Sequence, residues 1–113
     1  MIRDILAADI GGTNSRFAHF SCSTGSQIAL EQSTWLRTKD VKGFPELIQA
    51  LRRSDFKLKP EQADIVAIAA AGPIQRRVFC APPLISWTID LTNAKADFGI
   101  DKFVMINDFV AQA

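Results

Sequence analysis

The chain has 113 residues, 13 Lys plus Arg against 12 Asp plus Glu, and a net charge of +1. That length makes one domain with a single hydrophobic core. The balanced, scattered charge forms no nucleic-acid stripe, acidic tail or basic membrane surface, so neither nucleic acid nor membrane is expected as a partner.

Arg3 and Asp4 interrupt the first apolar stretch, so no secretory leader is expected. The longest apolar run, residues 65–71, falls well short of the roughly 20 residues of a membrane span. Cys22 and Cys80 sit in apolar runs without CxxC or Cys/His spacing. They read as reduced thiols of a cytoplasmic protein.

Residues 2–10 are nearly continuous in apolar side chains, as in a strand covered on both faces. Gly11-Gly12 breaks the run. Adjacent glycines allow positive φ and remove the Cβ atoms that would block a close ligand. Residues 15–22 form a second strand, with Arg16, Ala18 and Phe20 on one face and Phe17 and His19 on the other. After a turn at residues 23–26, residues 27–38 form a third, with Ile28, Leu30 and Leu36 on one face.

Residues 39–43 are loop-like. Residues 44–53 predict a helix: Pro45 suits the first turn, Glu46 the helix dipole, and Leu47, Ile48 and Leu51 make one stripe. A connection at 54–60 and a lead-in at 61–64 reach the buried strand 65–71, which Gly72-Pro73 ends. Residues 76–81 are a short strand stopped by Pro82-Pro83, and 84–91 are extended around Trp87. Residues 92–98 predict a short helix with Thr92 as N-cap and Gly99 as C-cap. Residues 102–106 form another buried strand, with Asn107-Asp108 at its carboxyl end and a helix start at 109–113. The pattern is α/β: a three-stranded antiparallel meander, then strands returning through helices, with ligands expected at strand carboxyl ends.

The turn after residue 10 lacks the lysine of a nucleotide P-loop, and a strand follows it rather than the helix of a dinucleotide turn. It can offer backbone N–H groups of Gly11, Gly12 and Thr13, with the Thr13 hydroxyl, to phosphate oxygens. Asp9 can hold Mg²⁺ directly or through water. A plain hairpin turn explains the glycines equally well. Asn107-Asp108 reads either as a helix cap or as a general base, and both can hold at once. Gly72 permits close approach of a ligand, or simply ends its strand. Trp87 could stack on a sugar or fill the core. His19 reads as structural.

The strings Ala8-Asp9-Ile10-Gly11-Gly12-Thr13-Asn14-Ser15-Arg16, Ala67-Ile68-Ala69-Ala70-Ala71-Gly72-Pro73, Trp87 and Ile106-Asn107-Asp108-Phe109-Val110-Ala111-Gln112-Ala113 resemble the bacterial glucokinase family. That family belongs to the sugar kinase, heat-shock ATPase and actin superfamily. The resemblance implies a ribonuclease-H-like mixed sheet and a two-lobed, actin-like ATPase fold, with residues 1–113 as the N-terminal lobe. It implies ATP phosphates at Ala8, Asp9, Ile10, Gly11, Gly12 and Thr13, with Mg²⁺ near Asp9. It places glucose or a similar hexose at Asn107, Asp108 and Gly72, with Asp108 as base toward the 6-hydroxyl. One departure stands out: Pro83-Leu84 replaces a Thr-Asn pair that relatives tend to carry.

Residues 109–113 begin an apolar helix without a cap, so the chain is expected to be an N-terminal portion of a longer enzyme, inactive alone and homo-oligomeric. The competing expectations are a non-catalytic sugar- or nucleotide-binding relative, or a kinase for another hexose.

Overall fold

A computed structural model describes residues 2–23 and 27–107. Strand β1 (Ile2–Ile10) pairs antiparallel with β2 (Asn14–Ser23), which pairs antiparallel with β3 (Ile28–Arg37). The chain then passes through a 3-10 turn (Thr38–Asp40) and helix α1 (Phe44–Arg53). A second 3-10 turn (Pro60–Gln62) precedes β4 (Ile65–Ala70), which lies parallel to β1. After helix α2 (Ala94–Phe98), β8 (Phe103–Asn107) runs parallel to β4. The sheet order is β3-β2-β1-β4-β8. A small antiparallel sheet, β5 (Ile74–Gln75), β6 (Phe79–Cys80) and β7 (Ile89–Asp90), interrupts the crossover from β4 to β8.

One face of the main sheet carries the core. Alternation turns Leu6, Ala8, Ile10, Phe17, Val66 and Ile68 toward the helices, and all six are buried. From α1, Phe44, Leu47, Ile48 and Leu51 close over them. Each such side chain contributes about 1.5–3 kcal/mol of transfer free energy when fully buried. The helix starts where Pro45 needs no amide partner and where Glu46 accepts from the Lys42 N–H at 2.7 Å. Helix α2 lies on the same face, with Phe98 edge-on to Phe44 at 5.2 Å. It ends as expected at Gly99, in the left-handed region at φ 73°.

The amino ends of the central strands are stitched together by a reciprocal pair. Asp64 N–H donates to the Asp4 carbonyl at 2.8 Å, and Asp4 N–H donates to Asp64 Oδ2 at 2.7 Å. His19 Nε2 lies 2.8 Å from Asp4 Oδ1, so the histidine has the structural place expected of it.

Several local expectations need correction. A bulge between His19 and Phe20 shifts the β2–β3 register, so Leu36 joins the core face while Ile28 and Leu30 turn to the other face and are exposed. The strand expected at 76–81 is only Phe79–Cys80. Arg76 and Arg77, at φ 54° and 65°, form a turn instead. Residues 84–87 form turns and bends, leaving Ile89–Asp90 as the strand. Thr92 does not cap α2. Asn93 holds the cap position, and the Thr92 hydroxyl donates to Asp90 Oδ1 at 2.6 Å. The helix start expected at 109–113 lies outside the described residues.

Candidate active site

Three strand ends form one row. Ile10 of β1 is paired with Ala70 of β4, and Ala70 with Asn107 of β8. The glycine turn, the Gly72 turn and Asn107 therefore leave the sheet at a single carboxyl edge, the position where open α/β sheets bind ligands. Two strand spacings put Ile10 and Asn107 about 10 Å apart. Asp108 follows Asn107 directly and lies outside the described residues.

The glycine turn is tight. The Gly11 N–H donates to the Asn14 carbonyl at 3.1 Å, so this amide closes the turn. A Cβ on Gly11 would stand 2.6 Å from that same oxygen. Neither Gly11 nor Gly12 has positive φ, so close approach, not backbone handedness, is what requires glycine here. The amides of Gly12 and Thr13 have no hydrogen-bond partner among the described residues, whereas the Thr13 carbonyl accepts from Thr38 N–H at 2.9 Å. The base of the turn is fixed by two buried hydroxyls, Ser15 Oγ and Thr38 Oγ1, 2.7 Å apart.

Asp9 is exposed, one residue before the end of β1, and is paired with Arg16 of β2 and Ala69 of β4. Asn107 is half-buried and alternates with Phe103 and Met105 toward the core face. The two side chains thus leave the same edge from opposite faces of the sheet.

Gly72 is buried at φ 115°, and a Cβ there would meet the Ala81 carbonyl, Pro83 Cδ and Pro82 Cα at 3.5–3.6 Å. It braces the Pro82-Pro83 segment, which carries Leu84 over the glycine turn. The Leu84 Cβ lies 3.2 Å from where a Gly12 Cβ would be. Leu84 is 81% exposed. Trp87 anchors the far end of this segment in the core, its ring 6.4 Å from that of Phe44. Between the segment and the 3-10 turn after β3 lies a cavity of about 260 Å³, bordered by Gly12, Lys39, Leu84 and Trp87. Sequence reasoning missed Thr38, Lys39 and the position of Leu84. Each reaches the turn by a contact distant in sequence, and only the Pro83-Leu84 departure hinted at one of them.

Cys80 is buried, its Sγ 3.6 Å from the Ala71 carbonyl, and burial pushes the thiol pKa up. It is a packing residue beside the site, not a nucleophile. No cluster of three or more His, Cys, Asp or Glu suited to a metal ion occurs among the described residues. The donor set still fits Mg²⁺ carried on a nucleotide, which needs only one or two protein carboxylates beside phosphate oxygens. Gly11 and Gly12, next to Asp9, carry no side chain of their own that would block such a phosphate.

The fold is that of the sugar kinases with a hexokinase- and actin-like architecture. A glucokinase from an Antarctic psychrotroph superposes with a TM-score of 0.75 at 26% identity, over 96% of this chain and 33% of that one. A glucokinase from Balamuthia mandrillaris solved with glucose shares the fold with a TM-score of 0.64 at 18% identity, over 96% of this chain and 30% of that one. The glucokinase family model matches residues 6–113, and the chain belongs to the glucokinase family. The glucokinase of Saccharophagus degradans is 36% identical over 108 residues, 96% of this chain and 32% of its own length. That of Sinorhizobium medicae is 35% identical over 111 residues, again 96% of this chain, and 30% of its own length. The chain therefore spans about a third of the length of these relatives.

Proposed function

We propose that the chain is the N-terminal lobe of an ATP-dependent kinase that phosphorylates glucose, or a similar hexose, at its 6-hydroxyl in the cytoplasm. The observation that carries this reading is the row Ile10–Ala70–Asn107. It brings the Gly11-Gly12 turn and the carboxyl ends of β4 and β8 to one edge. Membership of the glucokinase family supports the choice of reaction.

In this reading the backbone from Ala8 to Thr13 receives the phosphates, with the Gly12 and Thr13 amides as donors. Asp9 would hold Mg²⁺, which supplies charge neutralisation on the phosphates when bound. Asn107 and Asp108 hold sugar hydroxyls, and Gly72 lets the sugar approach the edge closely. As the sugar oxygen bonds to the γ-phosphorus, the bond to the bridging oxygen breaks and ADP leaves. Asp108 takes the proton from the 6-hydroxyl. Positioning and charge stabilisation supply most of the acceleration.

Leu84 favours a second possibility for the acceptor. An apolar, exposed side chain beside Gly12 offers no hydrogen bond to a hydroxyl, which suits a hexose other than glucose as well.

The test is ADP release by the longer protein with ATP and glucose, mannose or fructose. Turnover with at least one hexose is expected, and none from the 113-residue chain, which has one wall of the cleft. A longer protein inert toward all three would contradict the proposal. The homo-oligomer belongs to the same proposal: the apolar surface of the 113-residue chain favours self-association, and a monomer by sedimentation at high concentration would count against it.

A further inference from the structure

The cavity of about 260 Å³ between the glycine turn and residues 84–87 has one charged group in its lining, Lys39. Val41, Leu84, Ile85 and Trp87 make the apolar part of its wall, and no carboxylate borders it. Lys39 enters no ion pair among the described residues, whereas its neighbours Arg37 and Asp40 engage each other at 3.6 Å. The backbone that carries Lys39 is fixed relative to the glycine turn. Thr38 N–H donates to the Thr13 carbonyl at 2.9 Å, and the buried hydroxyls of Thr38 and Ser15 lie 2.7 Å apart. Lys39 is the next residue of the same 3-10 turn.

We propose that Lys39 and the Gly12 and Thr13 amides form a phosphate site, and that the phosphate it takes is the group being transferred. A lone cation beside apolar walls attracts an anion more strongly than the same cation in open water. The amides of Gly12 and Thr13 have no protein acceptor among the described residues, so donors and charge meet at one place. An ammonium is a compact point charge with freely rotating donors, which suits the outer oxygens of a phosphate. Position selects which phosphate. The cavity lies between the glycine turn, which receives the donor's phosphates in the reading above, and the segment braced by Gly72 and anchored by Trp87. Gly72 is where that reading brings the sugar, and the group between donor and acceptor is the one that moves. Lys39 is a positioning residue that neither gives nor takes a proton. The sugar oxygen bonds to phosphorus, the bridging oxygen leaves with ADP, the 6-hydroxyl proton goes to Asp108, and the ammonium offsets charge on the outer oxygens.

The identity of the phosphate rests on the phosphoryl-transfer reading, but the site itself is tested by binding. The 113-residue chain, isotope-labelled for NMR, is titrated with inorganic phosphate, glucose 6-phosphate and ADP at constant ionic strength, following the amides of Gly12, Thr13 and Lys39. Lys39 is exposed, so Lys39→Gln should leave the unfolding midpoint unchanged. This variant should bind inorganic phosphate and glucose 6-phosphate at least about fivefold more weakly, the effect of losing one charged hydrogen bond, and ADP within about twofold of the unsubstituted chain. Lys39→Arg should restore most of the phosphate affinity. Lys42→Gln, which removes a nearby cation outside the cavity lining, should bind as the unsubstituted chain does. Equal phosphate affinity with and without Lys39, or no saturable binding by the unsubstituted chain, would overturn the inference. An equal loss for ADP would overturn the assignment to the transferred group. Hexose turnover by the longer protein judges the kinase reading separately. A longer protein inert toward every hexose, with phosphate binding that still depends on Lys39, would remove that reading and leave the phosphate site standing.

Discussion

Gly11 and Asn14 meet across the turn at the end of β1 so closely that a Cβ on Gly11 would overlap the Asn14 carbonyl oxygen at 2.6 Å. The obstacle is backbone, held by the hydrogen bond from Gly11 N–H, so it cannot swing aside as a side chain would. Gly11→Ala should cost about 1–3 kcal/mol of stability. Gly43→Ala, where the nearest atom is Pro45 Cδ at 3.5 Å, serves as a control and should change little. Urea unfolding of both variants checks this; equal midpoints would show that the turn relaxes freely.

The hydroxyl pair beneath the turn gives a second prediction. Ser15 and Thr38 are both almost wholly buried and bond to each other at 2.7 Å. Ser15→Ala or Thr38→Val alone leaves one buried hydroxyl without a partner and should cost about 1–3 kcal/mol. The double variant should cost less than the sum of the two, because it removes both polar groups. Additive losses in a double-mutant cycle would mean that the two hydroxyls do not act as a pair.

The β5–β6 turn stores a smaller strain. Arg76 and Arg77 both have positive φ, where a side chain is disfavoured by about 1–2 kcal/mol. Arg77→Gly removes the clash without touching the core and should raise stability by about 1 kcal/mol, less whatever glycine adds to unfolded-chain entropy. A lowered thermal midpoint would show that the Arg77 side chain contributes more than its backbone costs.

Two carboxyls contribute to the acid sensitivity of stability. Glu61 is held below its ordinary value by its own backbone N–H and, after an opposing contribution from burial, by Arg52, whose Nη1 lies 2.8 Å from Oε1. Asp90 is lowered by hydrogen bonds from the Thr92 hydroxyl and N–H. Both bind protons more readily when unfolded, so their contribution is present above the unfolded values and is lost as pH falls through the folded ones. The urea midpoint should drop as pH falls through the carboxylate range. The drop should shrink in Glu61→Gln combined with Asp90→Asn. An unchanged pH slope in that variant would assign the acid sensitivity elsewhere.

What was legible in the sequence was local. The bounds of β1 and α1 and the Gly99 cap followed from apolar runs, Pro45 and a glycine at a helix end. The outward turn of Ile28 and Leu30 did not, because the bulge at His19/Phe20 has no glycine to announce it. Nor did the partnership of Ser15 with Thr38, or the seat of Leu84 over Gly12, since both join segments far apart in the chain. The site divides the same way. Asp9 to Thr13, Gly72 and Asn107 could be picked out by residue type and assigned to one carboxyl edge as strand ends, but the adjacency of their strands in the order β1-β4-β8 is encoded by no local pattern.

Asp108→Asn in the longer protein tests the proposed chemistry most directly, by turnover and by hexose binding measured side by side. Loss of the carboxylate should reduce turnover by at least about a hundredfold, the usual contribution of a general base, while the amide still binds the sugar hydroxyls. Turnover near that of the unsubstituted protein, with binding intact, would contradict the role of Asp108 as base.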